Sequence, residues 1–142
     1  MKSLTNNLLY FAMLFIFGAI IFRFGLSFFL ENGSYNLVWV IAAIYFIFNF
    51  MIGWIFGKRD HISLPLFDVG FRFHLVTFIL FNGISIAWFL LELNSQKEEI
   101  GVVYTTAIIW SFFLVLHFIF YLYAQKQSIK GINKEEIFDW KI

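Results

Sequence analysis

Cysteine is absent from the 142 residues, proline occurs once, and only 13% of the side chains are charged. Each shortage removes a class of function. Without thiols there are no disulfides, no zinc–thiolate or iron–sulfur sites and no thiol redox chemistry. A single proline, Pro65, leaves long stretches free of the residue that most strongly interrupts helices. The charged fraction is about half the ~25% of a soluble domain, so water is the wrong solvent for most of this chain. With a formal net charge of +1 there is no clustered basic face. Nucleic acid is therefore not expected as a partner, because phosphate neutralisation needs grouped Lys and Arg.

Apolar side chains fill the space the charges leave: 61% of residues are hydrophobic and 23% aromatic. They gather into four runs, at 7–30, 35–56, 70–93 and 101–124, each close to the ~20 residues a helix needs to cross a bilayer. A lipid-exposed backbone must satisfy its own hydrogen bonds, and the runs lack strict alternation, so helices are expected rather than barrel strands. The expected fold class is all-α: a polytopic bundle of four transmembrane helices, arranged as two hairpins in one domain over 1–142. The first run is too long for a signal peptide and has no small-residue cleavage site, so it reads as a retained anchor.

Basic residues set the orientation. With the N-terminus inside, Lys2, Lys58, Arg59, Arg72, Lys126, Lys130, Lys134 and Lys141 fall on one side and Lys97 alone on the other. Retention of Lys and Arg on the cytoplasmic side then predicts both termini there, N-in and C-in. Residues 57–69 read as a cytoplasmic loop at headgroup level, with Lys58, Arg59 and Pro65 available to a docking partner. Residues 125–142 read as a cytoplasmic tail. In it Asn133 and Glu136 have capping-box spacing, predicting a short amphipathic helix that presents Ile137 and Trp140 to the bilayer or to a partner.

Several polar side chains interrupt the runs. At 100° per residue His74, Phe78, Phe81, Ser85 and Glu92 share a face of the third helix, with Thr77 and Asn82 beside it; the fourth groups His117 with Thr106, Trp110, Phe113 and Tyr121. Polar groups in lipid are costly, so these faces are expected to point at other helices. Ala12 and Ala19 on the first helix, and Ala42 and Gly53 on the second, mark close-packed seams, and Asn49 and Asn82 are expected to bond across such contacts. Arg23 lies about two turns inside its helix, and Glu31 and Glu92 are its expected acidic partners. His74 and His117 have similar depths, which raises metal or haem ligation beside plain packing. No phosphate loop, nucleophile beside a base, HExxH spacing or embedded carboxylate pair is present, so no enzyme, catalytic residue, metal site or cofactor is expected.

The stretch "FRFHLVTFILFN", with its spacing of His74 and Asn82, the aromatic helix ending "LHFIFYL", and the charged tail "NKEEIFDWKI" together resemble the bacterial two-transmembrane domain family. The resemblance covers the second half of the chain. It implies a small protein of the bacterial inner (cytoplasmic) membrane, with a structural, assembly or signalling-accessory role. The expected partners are the lipid bilayer and either a second copy, forming a homo-oligomer, or another membrane protein. A small oligomeric channel or transporter and a bis-histidine haem protein are the alternatives.

Overall fold

Thr5 begins the first helix, α1 (Asn6–Glu31): its backbone is extended and its hydroxyl accepts the amide of Leu8 at 3.1 Å. That bond satisfies one of the amides that a first turn leaves without partners. The other end closes on Gly33, at φ +69°, with the amide of Ser34 returning to the carbonyl of Phe29 at 2.9 Å. Glycine takes this left-handed position without the steric cost a Cβ would bring. Three further helices follow, α2 (Tyr35–His61), α3 (Leu66–Leu90) and α4 (Ile100–Lys130), in a computed structural model that describes residues 4–130 and side chains to 127. All four are long and apolar enough to cross a membrane.

The helix ends differ from the expected ones where polar residues find partners. Helix α2 continues through Lys58, Arg59 and Asp60, and α3 starts directly after Pro65, so only 62–65 connect them in place of a loop over 57–69. Asp60 explains the extension. Its carboxylate is buried and accepts from the Thr5 hydroxyl at 2.5 Å and the Asn7 amide at 2.8 Å, fixing the last turn of α2 against the start of α1. Proline, with no N–H to lose and φ preset, suits the position immediately before a helix. Helix α3 ends at Leu90, short of the expected 93, because Glu92 turns the chain at φ +56°. The expected tail helix, with Ile137 and Trp140, lies outside the described residues.

Packing divides the bundle unevenly. Helix α1 contacts α2 and α3, α2 also contacts α3, and α4 contacts α3 alone. The core sits among the first three, where Leu8, Phe11, Phe15, Ala19 and Ile52 are buried and are flanked by Tyr45, Phe48, Phe73 and Phe81. Rings meet here at close range: Phe11 and Phe73 have centroids 4.7 Å apart, and Phe22 stacks on Tyr45 at 4.5 Å. The α1–α2 seam depends on Gly18 and Gly25. A Cβ on Gly18 would fall 2.6 Å from Phe48, and one on Gly25 would collide with the Ile41 side chain. Two helix turns separate the glycines, so they open one face of α1 to α2.

This arrangement corrects the two-transmembrane reading of the second half. Four membrane-length helices occur among the described residues, and α3 is packed against α1 and α2 as well as α4. The α3–α4 hairpin is not a separate unit.

Candidate functional site

The polar side chains form three groups. The first lies at the end of the bundle that carries the 91–99 loop. Buried residues recur along α1 at 15, 19, 23 and 27, so Arg23 and Ser27 continue the stripe begun by Phe15 and Ala19. The loop folds back over them. Arg23 Nη2 donates to Glu98 Oε2 at 2.7 Å, with both side chains only 6% exposed. Ser27 Oγ donates to Glu98 Oε1 at 2.5 Å, the Ser95 amide donates to the same oxygen at 3.1 Å, and the indole of Trp88 donates to Ser27 Oγ at 2.9 Å. The guanidinium also stands 5.6 Å from the Phe89 ring centroid. An ion pair this dry is costly unless its atoms are matched: both Glu98 oxygens accept hydrogen bonds, whereas Arg23 Nε is buried without a partner.

The acidic partner of Arg23 is therefore Glu98, not Glu31 or Glu92. Glu31 accepts instead from the Ser95 hydroxyl at 2.5 Å and the Gln96 amide at 3.2 Å, while Lys97 Nζ reaches the Glu31 carbonyl at 3.0 Å. Glu92 is exposed beyond the end of α3. Together these bonds fasten the α3–α4 connection to the end of α1. Sequence reasoning missed Glu98, Trp88 and Ser95, although the fourfold spacing that groups Ala19, Arg23 and Ser27 marked the correct face.

The second group is at the opposite end, where Asp60 joins α2 to α1. Buried Asp68 pairs there with Arg72, one turn later on α3, at 2.7 Å. Lys58, Arg59 and Pro65 are exposed at this end, and Arg59 lies 5.7 Å from the Phe56 ring centroid.

The third group joins α3 to α4. His74 Nδ1 and His117 Nδ1 are 3.2 Å apart, and the Trp110 indole donates to His74 Nε2 at 2.6 Å. The two histidines meet as the sequence suggested. Their direct contact leaves no room for a porphyrin between them, and both nitrogens of His74 are engaged, so the pair does not fit a bis-histidine haem. No group of three or more His, Cys, Asp or Glu suited to a metal ion occurs among the described residues. Trp110 and Tyr121 lie on the packed face of α4 with His117, whereas Thr106 and Phe113 are exposed.

The remaining expected residues serve the packing. Ala19 is fully buried, Ala12 and Ala42 are half-buried, and Gly53 faces the Phe11 ring. Ser85 is 1% exposed within the core. Asn49 and Asn82 behave differently from expectation. Each amide donates to the carbonyl four residues earlier in its own helix, at 2.7 and 2.8 Å, and each Oδ1 is buried without a partner. They bond within helices, not across them.

No protein-family model, no curated protein and no solved structure matches this chain. The resemblance to the two-transmembrane family is thus unsupported by comparison as well as by the four-helix architecture.

Proposed function

We propose that this protein is a non-catalytic membrane component that recruits another membrane-spanning helix, from a second copy or a different protein, along the outward side of α4. One observation carries the reading: among the described residues α4 packs on α3 and on no other helix, and no residue of its membrane-length segment is buried. Its half-buried stripe of Val103, Ala107, Trp110, Leu114, His117 and Tyr121 meets α3, leaving the other side uncovered. Apolar surface alone does not choose a protein over lipid, since acyl chains are equally apolar. The uncovered side also carries Gly101 and Thr105 one turn apart, the small-residue spacing at which membrane helices approach closely.

The use of the polar groups favours assembly over conduction. Arg23, Asp60 and His74 each bond to a neighbouring helix or loop, and Leu8, Phe11, Phe15 and Ala19 fill the length of α1 between the two end clusters. A pore through one copy would have to displace that core. We further place both termini on the cytoplasmic side of a bacterial inner membrane, the side the basic residues favour.

The natural absence of cysteine makes the test direct. Single cysteines at Gly101, Thr105, Ile109 and Phe112 should crosslink in native membranes, to a dimer or to a heavier partner adduct, while cysteines at Val103 and Leu114 should not. A uniform absence of crosslinks, together with a monomeric mass on gentle extraction, would refute the proposal.

A further inference from the structure

Among the described residues, helices α2 and α4 both stand beside α3 with no close backbone approach to each other. Between them lies a groove of about 870 Å³, within the ~300–1,000 Å³ of small-molecule sites. Phe11, Phe46, Phe50, Trp54 and Phe73 supply flat apolar walls, and His117 stands over Gly70, where an added Cβ would lie 3.4 Å from Nε2. The groove lies between helices long and apolar enough to cross a membrane.

The hydrogen-bond chain fixes the polarity of this groove. Indole N–H groups only donate, so His74 Nε2, which receives Trp110 at 2.6 Å, carries no proton. Neutral His74 must then hold its proton on Nδ1 and donate it to His117 Nδ1 at 3.2 Å. His117 Nδ1 is thereby the acceptor, and its proton resides on Nε2. That N–H has no partner among the described residues. The chain starts on one donor and ends on another, which lines the groove.

We propose that the groove binds a planar, lipid-soluble carbonyl compound of the quinone class, its oxygen accepting from His117 Nε2–H and its ring lying among the aromatic walls. An acceptor is required because the terminal group is a donor. A carbonyl satisfies it with no further partner, whereas an alcohol would also need an acceptor for its own proton: Asn49 Oδ1 is sealed from the groove, which leaves that task to the Thr77 oxygen, itself turned to donate to the Phe73 carbonyl at 2.8 Å. Phospholipid esters offer the same carbonyl chemistry, but on chains rather than a ring. The aromatic walls favour the ring.

The whole protein is reconstituted in bicelles of ether-linked phospholipid, which removes ester carbonyls, and titrated with decylubiquinone. Three histidines in the chain make ¹⁵N-histidine spectra assignable, and Trp54 lines the groove as a fluorescence reporter. The expected result is a change of the His117 Nε2–H resonance with saturable tryptophan quenching. Binding should weaken at least tenfold in His117→Phe, which removes the donor. It should weaken similarly in Gly53→Leu, which narrows the groove without touching the histidines, so a poorly folded His117 variant leaves the test intact. Unsaturable quenching that is equal in wild type and Gly53→Leu would overturn the site. The same His117 change on replacing ether with ester lipid, without quinone, would assign the groove to phospholipid and overturn the ring.

Discussion

Arg23→Met removes the cation of the buried pair while keeping most of the side-chain length. Breaking such a pair by deleting one partner costs ~3–5 kcal/mol, because the remaining charge is buried alone. The geometry reduces this figure: Glu98 would keep the Ser27 hydroxyl and the Ser95 amide as donors, each contributing on the order of 1 kcal/mol. The expected cost is about 2–3 kcal/mol. Glu98→Leu strips Arg23 of its carboxylate and leaves Ser27 and Ser95 without an acceptor, so about 3–4 kcal/mol is expected, with outward snorkelling of the guanidinium holding the loss to that range. The double variant Arg23→Met/Glu98→Leu buries no charge. It should lie within about 2 kcal/mol of wild type, giving a coupling of at least about 3 kcal/mol. Reversible unfolding by SDS in mixed micelles, followed by tryptophan fluorescence, measures all four proteins. If the single costs added to the double within about 0.5 kcal/mol, the two residues would not act as a pair and the reasoning would fail.

Two other perturbations test the helix seams by the same method. Gly25→Val sets a branched side chain against Ile41 in the α1–α2 seam and should cost about 1–3 kcal/mol, whereas Gly83→Val, where a Cβ would have nothing within 4 Å, should change stability little; equal effects would refute the seam. Asp60→Ala releases the Thr5 hydroxyl and the Asn7 amide and should cost about 1–2 kcal/mol. Hydrogen exchange should accelerate in the first turn of α1, and unchanged protection there would refute the tie.

Periodicity made the four helices legible, and also the buried face of α1, because spacing by three and four residues reports which side chains share a surface. It placed Ala19, Arg23 and Ser27 together and brought His74 to His117. It did not identify Glu98, since Glu31, Glu92, Glu98 and Glu99 all lie at that end, and a loop has no period from which to read its fold-back. The positive φ of Glu92 made that choice, and nothing in the local sequence demanded such a turn. Residues 57–61 looked like loop because Lys58, Arg59 and Asp60 interrupt the apolar run. They stay helical because Asp60 finds Thr5 and Asn7, a tertiary contact that outweighs composition. Gly18 and Gly25 had a readable spacing, but the alanines of α1 drew the seam one position away. The tautomer chain needed coordinates, since the donor-only role of Trp110 matters only once its contact with His74 is known.

The separation of Arg23 from Glu98 by 75 residues gives this clamp a history within each molecule's synthesis. A ribosome adding ~5–20 residues per second exposes the arginine for about 4–15 s before its carboxylate has been made. During that interval α1 enters the bilayer carrying a charge that only snorkelling or water can stabilise. Arrival of the loop before α4 ends this state, and α1 becomes fully apolar-compatible only once Glu98 has been made. Conditions that stall translation between those points would hold the nascent protein in its least stable form, with the first helix prone to slide outward toward the water.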